Sequence, residues 1–160
     1  MIKEYKFTIN KKNISVKCNI GSNLLNILKN ELKINSIRYG CGKGLCGACS
    51  ILVGGKVFRS CQLTVDDVIN KDITTLEGLT YKGKKHPLIT FFEKEQAFQC
   101  GYCTNGMIIT AASLLNENIN PTRKDIINHM NNNICRCGTH GRIIDAIIKA
   151  SNYMRKKNDK

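Results

Sequence analysis

Eight of the nine cysteines in this 160-residue chain fall into two groups whose spacing can grip a metal centre. The first is Cys41-x4-Cys46-x2-Cys49, with eleven residues separating Cys49 from Cys61. Three thiolates on one tight loop and a fourth returning from a neighbouring element form the plant-type 2Fe-2S spacing. That chemistry also accounts for the glycines. The sulfurs of such a centre carry negative charge and are stabilised by backbone N–H groups aimed at them, so the loop must wrap closely. Gly40, Gly42, Gly44 and Gly47 are expected to supply the positive-φ turns and the close approach. A zinc site would instead use two separated knuckles.

The second group is Cys100-x2-Cys103 and, after thirty-one intervening residues, Cys135-x-Cys137. Taken alone, two close pairs could also hold zinc. Their positions favour a second cluster: Cys103 opens one expected helix and Cys137 precedes another, so unpaired N–H groups at two helix starts face an anionic centre. Cys18 is left over. It falls in phase with Ile14, Val16 and Ile20 on the apolar side of a strand, and is expected to be a buried core thiol and not a ligand. His86 and His129 read as ordinary residues, and His140, three residues past Cys137, is close enough to touch the second centre's surroundings or a partner. It is not needed as a ligand, since cysteines fill every ligand position. There is no hydrolytic triad, and no Gly-Lys-Ser/Thr closes a phosphate loop.

The two groups need two kinds of scaffold, and the hydrophobic period changes near residue 85. Tyr5, Phe7 and Ile9 alternate on one strand and Ile14, Val16, Cys18 and Ile20 on the next, with a turn at residues 10–13. Ser22 or Asn23 can cap a helix that presents Leu24, Leu25, Leu28 and Leu32 to the sheet. Residues 51–53 and 56–58 flank Gly54-Gly55 as a second hairpin, and residues 73–76 form another short strand. From residue 86 the period is helical. One helix is expected over 86–98, with Pro87 in its first turn, and another is marked by Met107, Ile108, Ala111 and Leu115. A third starts at Asn120-Pro121, carries Ile126, Ile127, Met130 and Ile134 on one face, and ends near residues 131–133. The last shows Ile143, Ile144, Ile147, Ile148 and Ser151. The result is an α+β plan: a sheet-bearing unit over 1–80, a linker at 80–85 and a four-helix unit over 86–157.

With 42% apolar and 6% aromatic residues, each half has a thin core, and a metal staple is expected to contribute stability. No apolar run approaches the roughly 18 residues of a membrane span, and residues 1–10 alternate in character instead of forming a signal-peptide core. These features predict a protein made for the cytoplasm, without membrane insertion, or exported only together with a partner. In a reducing compartment nine cysteines argue for metal ligation over disulfides. The formal charge of +13 falls to about +9 once each oxidised cluster contributes about −2. The lysines read first as a solvated surface and second as a match for an acidic partner subunit. Their dispersal, with no Trp and no zinc-finger spacing, excludes nucleic acid as a partner.

The segments Tyr39-Gly40-Cys41-Gly42-Lys43-Gly44-Leu45-Cys46-Gly47-Ala48-Cys49, Ser60-Cys61, Gln99-Cys100-Gly101-Tyr102-Cys103 and Ile134-Cys135-Arg136-Cys137-Gly138-Thr139 resemble the iron-sulfur subunit of the molybdenum hydroxylases. This is the xanthine dehydrogenase and aldehyde oxidase family, carbon monoxide dehydrogenase small subunits included. The resemblance runs along nearly the whole chain, in order, with all eight cysteines matched. It implies a plant-type, ferredoxin-like β-grasp domain over 1–80 followed by an all-α four-helix 2Fe-2S domain over 86–157. It further implies a 2Fe-2S cluster on Cys100, Cys103, Cys135 and Cys137 nearer a molybdopterin, with Gln99 and Cys137 at contact distance to that pterin. A second cluster, on Cys41, Cys46, Cys49 and Cys61, would lie nearer the acceptor. The molybdopterin and the substrate pocket belong to a large partner subunit that hydroxylates a carbon centre with water. FAD on another subunit, or a cytochrome, would be the acceptor.

The run 137–143 is most similar to the isoquinoline oxidoreductase branch, although His140 stands where that branch has an aromatic residue. Asn105 replaces the usual proline after Cys-Thr, and Lys43 replaces a frequent acidic residue, which would raise the potential of its centre; neither is expected to touch a ligand. The alternative to a relay subunit is a free-standing two-cluster ferredoxin-type carrier. The Gln99-Cys100 context favours the relay.

Overall fold

The computed structural model describes residues 1–158. Strands β1 (Ile2–Ile9) and β2 (Lys12–Asn19) pair antiparallel, as their alternating side chains predict. The turn is tighter than expected. Ile9 faces Lys12 directly, and Asn10 and Lys11 both take positive φ, at 51° and 67°, the left-handed pair that a two-residue hairpin turn demands. The Asn23 side chain accepts from Asn26 N and starts α1 (Leu24–Asn26), which widens into a π turn over Ile27–Glu31. Strands β3 (Ser50–Val53) and β4 (Lys56–Arg59) form the second hairpin, and β5 (Asp72–Thr74) completes a sheet of order β2-β1-β5-β3-β4. The β1–β5 pairing is parallel; the other pairings are antiparallel.

Strand β3 joins two cores because successive side chains on a strand point to opposite faces. Ile51 is buried with Tyr5, Phe7, Leu24 and Leu28, whereas its neighbour Leu52 is buried among the helices with Met107 and Ala111. Strand β2, by contrast, is an edge with a neighbour on one side only. Ile14, Val16 and Cys18 are therefore half-buried and Ile20 is exposed. The expectation that Cys18 is a fully buried core thiol is corrected: it packs on the sheet core, opposite Lys3 at the open end of the hairpin.

The segment expected to be a plain linker is itself a small hairpin, β6 (Thr80–Tyr81) with β7 (Lys84–Lys85). Helix α2 (Pro87–Lys94) begins where the His86 imidazole accepts from Leu88 N at 3.2 Å, and it stops four residues short of Phe98. Helix α3 (Thr104–Glu117) is buried continuously from Asn105 to Leu115, which suits a stretch with no charged residue and with small side chains at Gly106, Ala111, Ala112 and Ser113. Helix α4 (Arg123–Met130) is capped by the reciprocal Thr122–Asp125 box, downstream of the expected Asn120-Pro121 start. It ends at Met130, so Ile134 lies beyond it and is exposed, as is Ile127; only Ile126 and Met130 of the expected stripe are buried. Helix α5 (His140–Asn158) buries Ile143, Ala146, Ile147 and Ala150 against this bundle. Among the described residues, no helix is long and apolar enough to cross a membrane.

Candidate metal centres

The loop from Gly40 to Cys49 wraps its own amides onto its own sulfur. The N–H groups of Lys43, Leu45 and Cys46 donate to Cys41 Sγ at 3.3, 3.3 and 3.4 Å, and Cys41 N donates to Cys46 Sγ at 3.4 Å. Donation by Lys43 and Cys46 outweighs burial, and with help from Leu45 brings the Cys41 thiol down to about 6. Lys43 thus does touch a predicted ligand, Cys41, contrary to expectation, through its backbone and not its side chain. Gly40 is also corrected: it is absent from the positive-φ residues, and it is needed because an added Cβ would come within 2.6 Å of Cys46 Sγ. Gly42, Gly44 and Gly47 have the expected positive φ.

Cys61 returns on the 3-10 turn Ser60–Gln62 that follows β4. Ser60 clamps that turn to the loop: its N and Oγ donate to Cys49 O at 3.2 and 2.8 Å. Cys49 and Cys61 are both buried and interact directly; burial, reinforced by Cys61, pushes the Cys49 thiol up to about 11. Gln62 Nε2 reaches Cys61 Sγ at 3.5 Å and Gly42 O at 3.1 Å.

The second set is assembled from two helix starts. Cys103 is the N-cap residue of α3, and Cys135 and Cys137 lie just ahead of α5. Burial opposes the Cys135 thiolate, but hydrogen bonds from the Thr139 hydroxyl and N–H, from Cys103 and from Cys137 N–H bring its thiol down to about 7. The Thr139 hydroxyl lies 3.3 Å from Cys135 Sγ. Cys103, half-buried and paired with Cys135, is pushed up to about 12, chiefly by desolvation and by Cys135, with Cys100 contributing. Cys100 and Gln99 are exposed, and Cys137 is half-buried. His140 is exposed at the start of α5.

Contacts between the two sets are the part that sequence reading missed. Ile134 N donates to Cys46 O at 3.0 Å, tying the loop of one set to the loop of the other. Asn105 Nδ2 donates to Ala48 O at 2.8 Å, and Tyr102 Oη bonds to Tyr39 O. Gly106 lets α3 rest on the loop, where any Cβ would overlap Gly47 O. Arg59 spans both sides: it donates to Ser50 Oγ and to Thr110 Oγ1 from Nη1, and to Asn132 O and Asn133 Oδ1 from Nη2 at 2.9 and 3.1 Å. The only sequence signal for these residues is that each lies within a few positions of a cysteine.

What these thiols can hold follows from how they are grouped. Among the described residues, no three Cys, His, Asp or Glu side chains form a site for one ion. Six of the eight thiols lie in pairs, Cys41 with Cys46, Cys49 with Cys61 and Cys103 with Cys135, while Cys100 and Cys137 flank the last pair in sequence. A tetrahedral zinc ion gathers four ligands around one point, whereas a two-iron core divides its thiolates between two metals. Paired thiols with amides aimed at sulfur fit the latter.

Residues 7–76 match a family model described as a 2Fe-2S iron-sulfur cluster binding domain, and residues 75–148 match one described as a 2Fe-2S binding domain. One of the subunits of nicotinate dehydrogenase from Pseudomonas putida is 43% identical over 92% of this chain and 94% of its own length. The alpha subunit of isoquinoline 1-oxidoreductase from Brevundimonas diminuta is 41% identical over 80% of this chain and 84% of its own. The crystal structure of the aldehyde oxidoreductase from Desulfovibrio desulfuricans superposes with a TM-score of 0.92 at 34% identity; it covers 96% of this chain, which spans only 17% of that longer one.

Proposed function

Because this chain belongs to the iron-sulfur subunits of the molybdenum hydroxylases, the xanthine dehydrogenase and aldehyde oxidase family, we propose how its residues serve an electron-transfer subunit. Cys41, Cys46, Cys49 and Cys61 would hold one 2Fe-2S cluster, and Cys100, Cys103, Cys135 and Cys137 the other. When bound, each cluster supplies a one-electron redox centre. Residues 1–80 act as a ferredoxin-like β-grasp unit and residues 86–157 as the four-helix unit. Amides of Lys43, Leu45 and Cys46 stabilise anionic sulfur at the first site; Thr139 and the helix starts do so at the second.

The observation that carries this reading is the direct bond from Ile134 N to Cys46 O. A relay needs two centres held close and in fixed relation, and this bond joins a residue beside Cys135 to a ligand of the other set. Gln99 and Cys137 sit at the edge of the second set toward the molybdopterin of a large partner subunit, which also carries the substrate pocket. Exposed Phe98, Tyr102 and Ile134 beside the same cysteines support an apolar contact there. Electrons leave from the first set to a flavin subunit or a cytochrome.

Tagged chain purified from its native host should bring down a large molybdenum-bearing partner. When reduced, the same material should give two distinct 2Fe-2S signals by electron paramagnetic resonance. A chain that purifies alone with both signals would instead be a free-standing carrier. A zinc-loaded, colourless chain would overturn both readings.

A further inference from the structure

Arg59 ends β4, two residues before Cys61, yet its side chain turns away from the sheet edge toward the helical half. Its guanidinium is half-buried and all four of its hydrogen-bond acceptors are neutral: Ser50 Oγ, Thr110 Oγ1, Asn132 O and Asn133 Oδ1. Thr110 lies within α3, and the other three acceptors flank cysteine loops. Ser50 follows Cys49 and donates its hydroxyl to Gly47 O at 2.5 Å. Asn133, two residues before Cys135, packs on Gly47 so closely that a Cβ there would lie 2.5 Å from its Nδ2. A planar fork with five donors can hold such divergent acceptors at once, which a lysine cannot.

Arg59 lies two residues before Cys61 and its Nη1 donates to Ser50 Oγ, the residue after Cys49, so its cation stands beside the first set. A fixed cation there acts on the charge of that set. Its connection to the second set runs through the neutral groups of Asn132 and Asn133.

We infer that Arg59 is a positioning residue of the relay, whose fork locks the Cys46–Cys49 loop to the Cys135 loop and whose charge raises the reduction potential of the first centre above that set by its ligands alone. The inference rests on the relay reading. Reduction adds one negative charge to a centre, and a fixed cation nearby favours that state, so removing the cation must move the midpoint to more negative potential.

The test is a redox titration of the complete cluster-loaded protein, followed by electron paramagnetic resonance, for wild type, Arg59→Gln, Arg59→Lys and Asn133→Ala. In Arg59→Gln the midpoint of the first centre should fall and that of the second should move less; unmoved midpoints, or equal movement of both, overturn the inference. Arg59→Lys keeps the charge and loses the fork. Its first midpoint should stay near wild type while the magnetic interaction between the two reduced centres changes. A fall matching that of Arg59→Gln overturns the role of the charge.

Should Arg59→Gln fail to retain both centres, Asn133→Ala and Arg59→Lys decide. Both should alter the magnetic interaction with the first midpoint unchanged, and an unaltered interaction in both overturns the lock. A wild-type protein without two signals would sink the relay reading and this inference together, whereas two normal signals with unmoved Arg59→Gln midpoints sink this inference alone.

Discussion

The two cysteine sets are built by different means. Cys41, Cys46 and Cys49 share one loop whose amides already face Cys41 Sγ, and Cys61 is clamped to that loop by Ser60. The second set is split between two segments: Cys103 caps α3, while Cys135 and Cys137 precede α5 in a loop where Thr139 and the Cys137 N–H face Cys135 Sγ. The packing of the bundle brings the two segments together. A loop-built site is specified locally, by glycines and amides within a few residues of its ligands. A helix-built site is a product of tertiary structure, so its integrity is coupled to the bundle that its own metal would staple.

The strongest way to break this comparison is Cys103→Ser. It removes one ligand of the helix-built site and leaves the amide cradle of the other intact. Iron should fall from about four to about two per chain, with one of two paramagnetic signals surviving. Equal loss of both signals would mean that the sites assemble as one unit.

Thiol chemistry in the metal-free protein sharpens the contrast. Cys41 at about 6 and Cys135 at about 7 are thiolates near neutrality, whereas Cys49 at about 11 and Cys103 at about 12 are not. Alkylation by iodoacetamide at about pH 7.5, close to neutrality and below the ordinary thiol range, should therefore modify Cys41 and Cys135 well before Cys49 and Cys103. Mass spectrometry maps the order, and equal rates would contradict the amide cradle. The folded pKa of Cys41 lies below its ordinary value of 9.0, so its contribution to stability is full above that value and is lost as pH falls through about 6. Cys103 has the opposite sign: its contribution is full below 9.0 and is lost as pH rises through about 12.

The same difference governs what can be read from the sequence. The first site is legible because its cysteines, its glycines and the hairpin at Gly54-Gly55 are local features. The helix starts at Cys103 and ahead of α5 are legible too, since period and capping residues are local. How the halves meet is not. That Leu52 and Ile51 serve different cores, that Arg59 crosses to Asn133, and that Asn105 bonds to Ala48 are consequences of packing between residues up to 74 positions apart. Cys18 is misplaced by sequence reading for a related reason: its alternation points to a buried face, but alternation does not say which strand lies at the edge.

Gly106→Ala probes that meeting surface. The new methyl group would overlap Gly47 O, which is backbone and cannot swing aside. Pushing α3 off the loop should cost about 1–3 kcal/mol, read as a lower urea midpoint of the cluster-loaded protein. Because Gly47 belongs to one site and α3 to the other, both paramagnetic signals should broaden. A change confined to the second signal would show that the loop tolerates movement of the helix.

The smallest effect is expected from Asn105→Pro, a change to the residue that the family resemblance leads one to expect after Cys103-Thr104. Asn105 is the second residue of α3, where the backbone N–H has no helical partner to lose and proline is tolerated. The substitution removes the bond to Ala48 O, but that oxygen keeps Arg38 N at 3.2 Å. It also removes Asn105 Oδ1, which is buried without a partner. Losing a net-favourable hydrogen bond of about 0.5–1.5 kcal/mol is offset by relief of an unpaired buried oxygen costing about 1–3 kcal/mol. The urea midpoint should therefore correspond to a stability within about 1 kcal/mol of wild type, with both signals unchanged. A loss of several kcal/mol would mean that the Asn105 amide itself holds the helical half on the loop, and that the two sites are less independent than their construction implies.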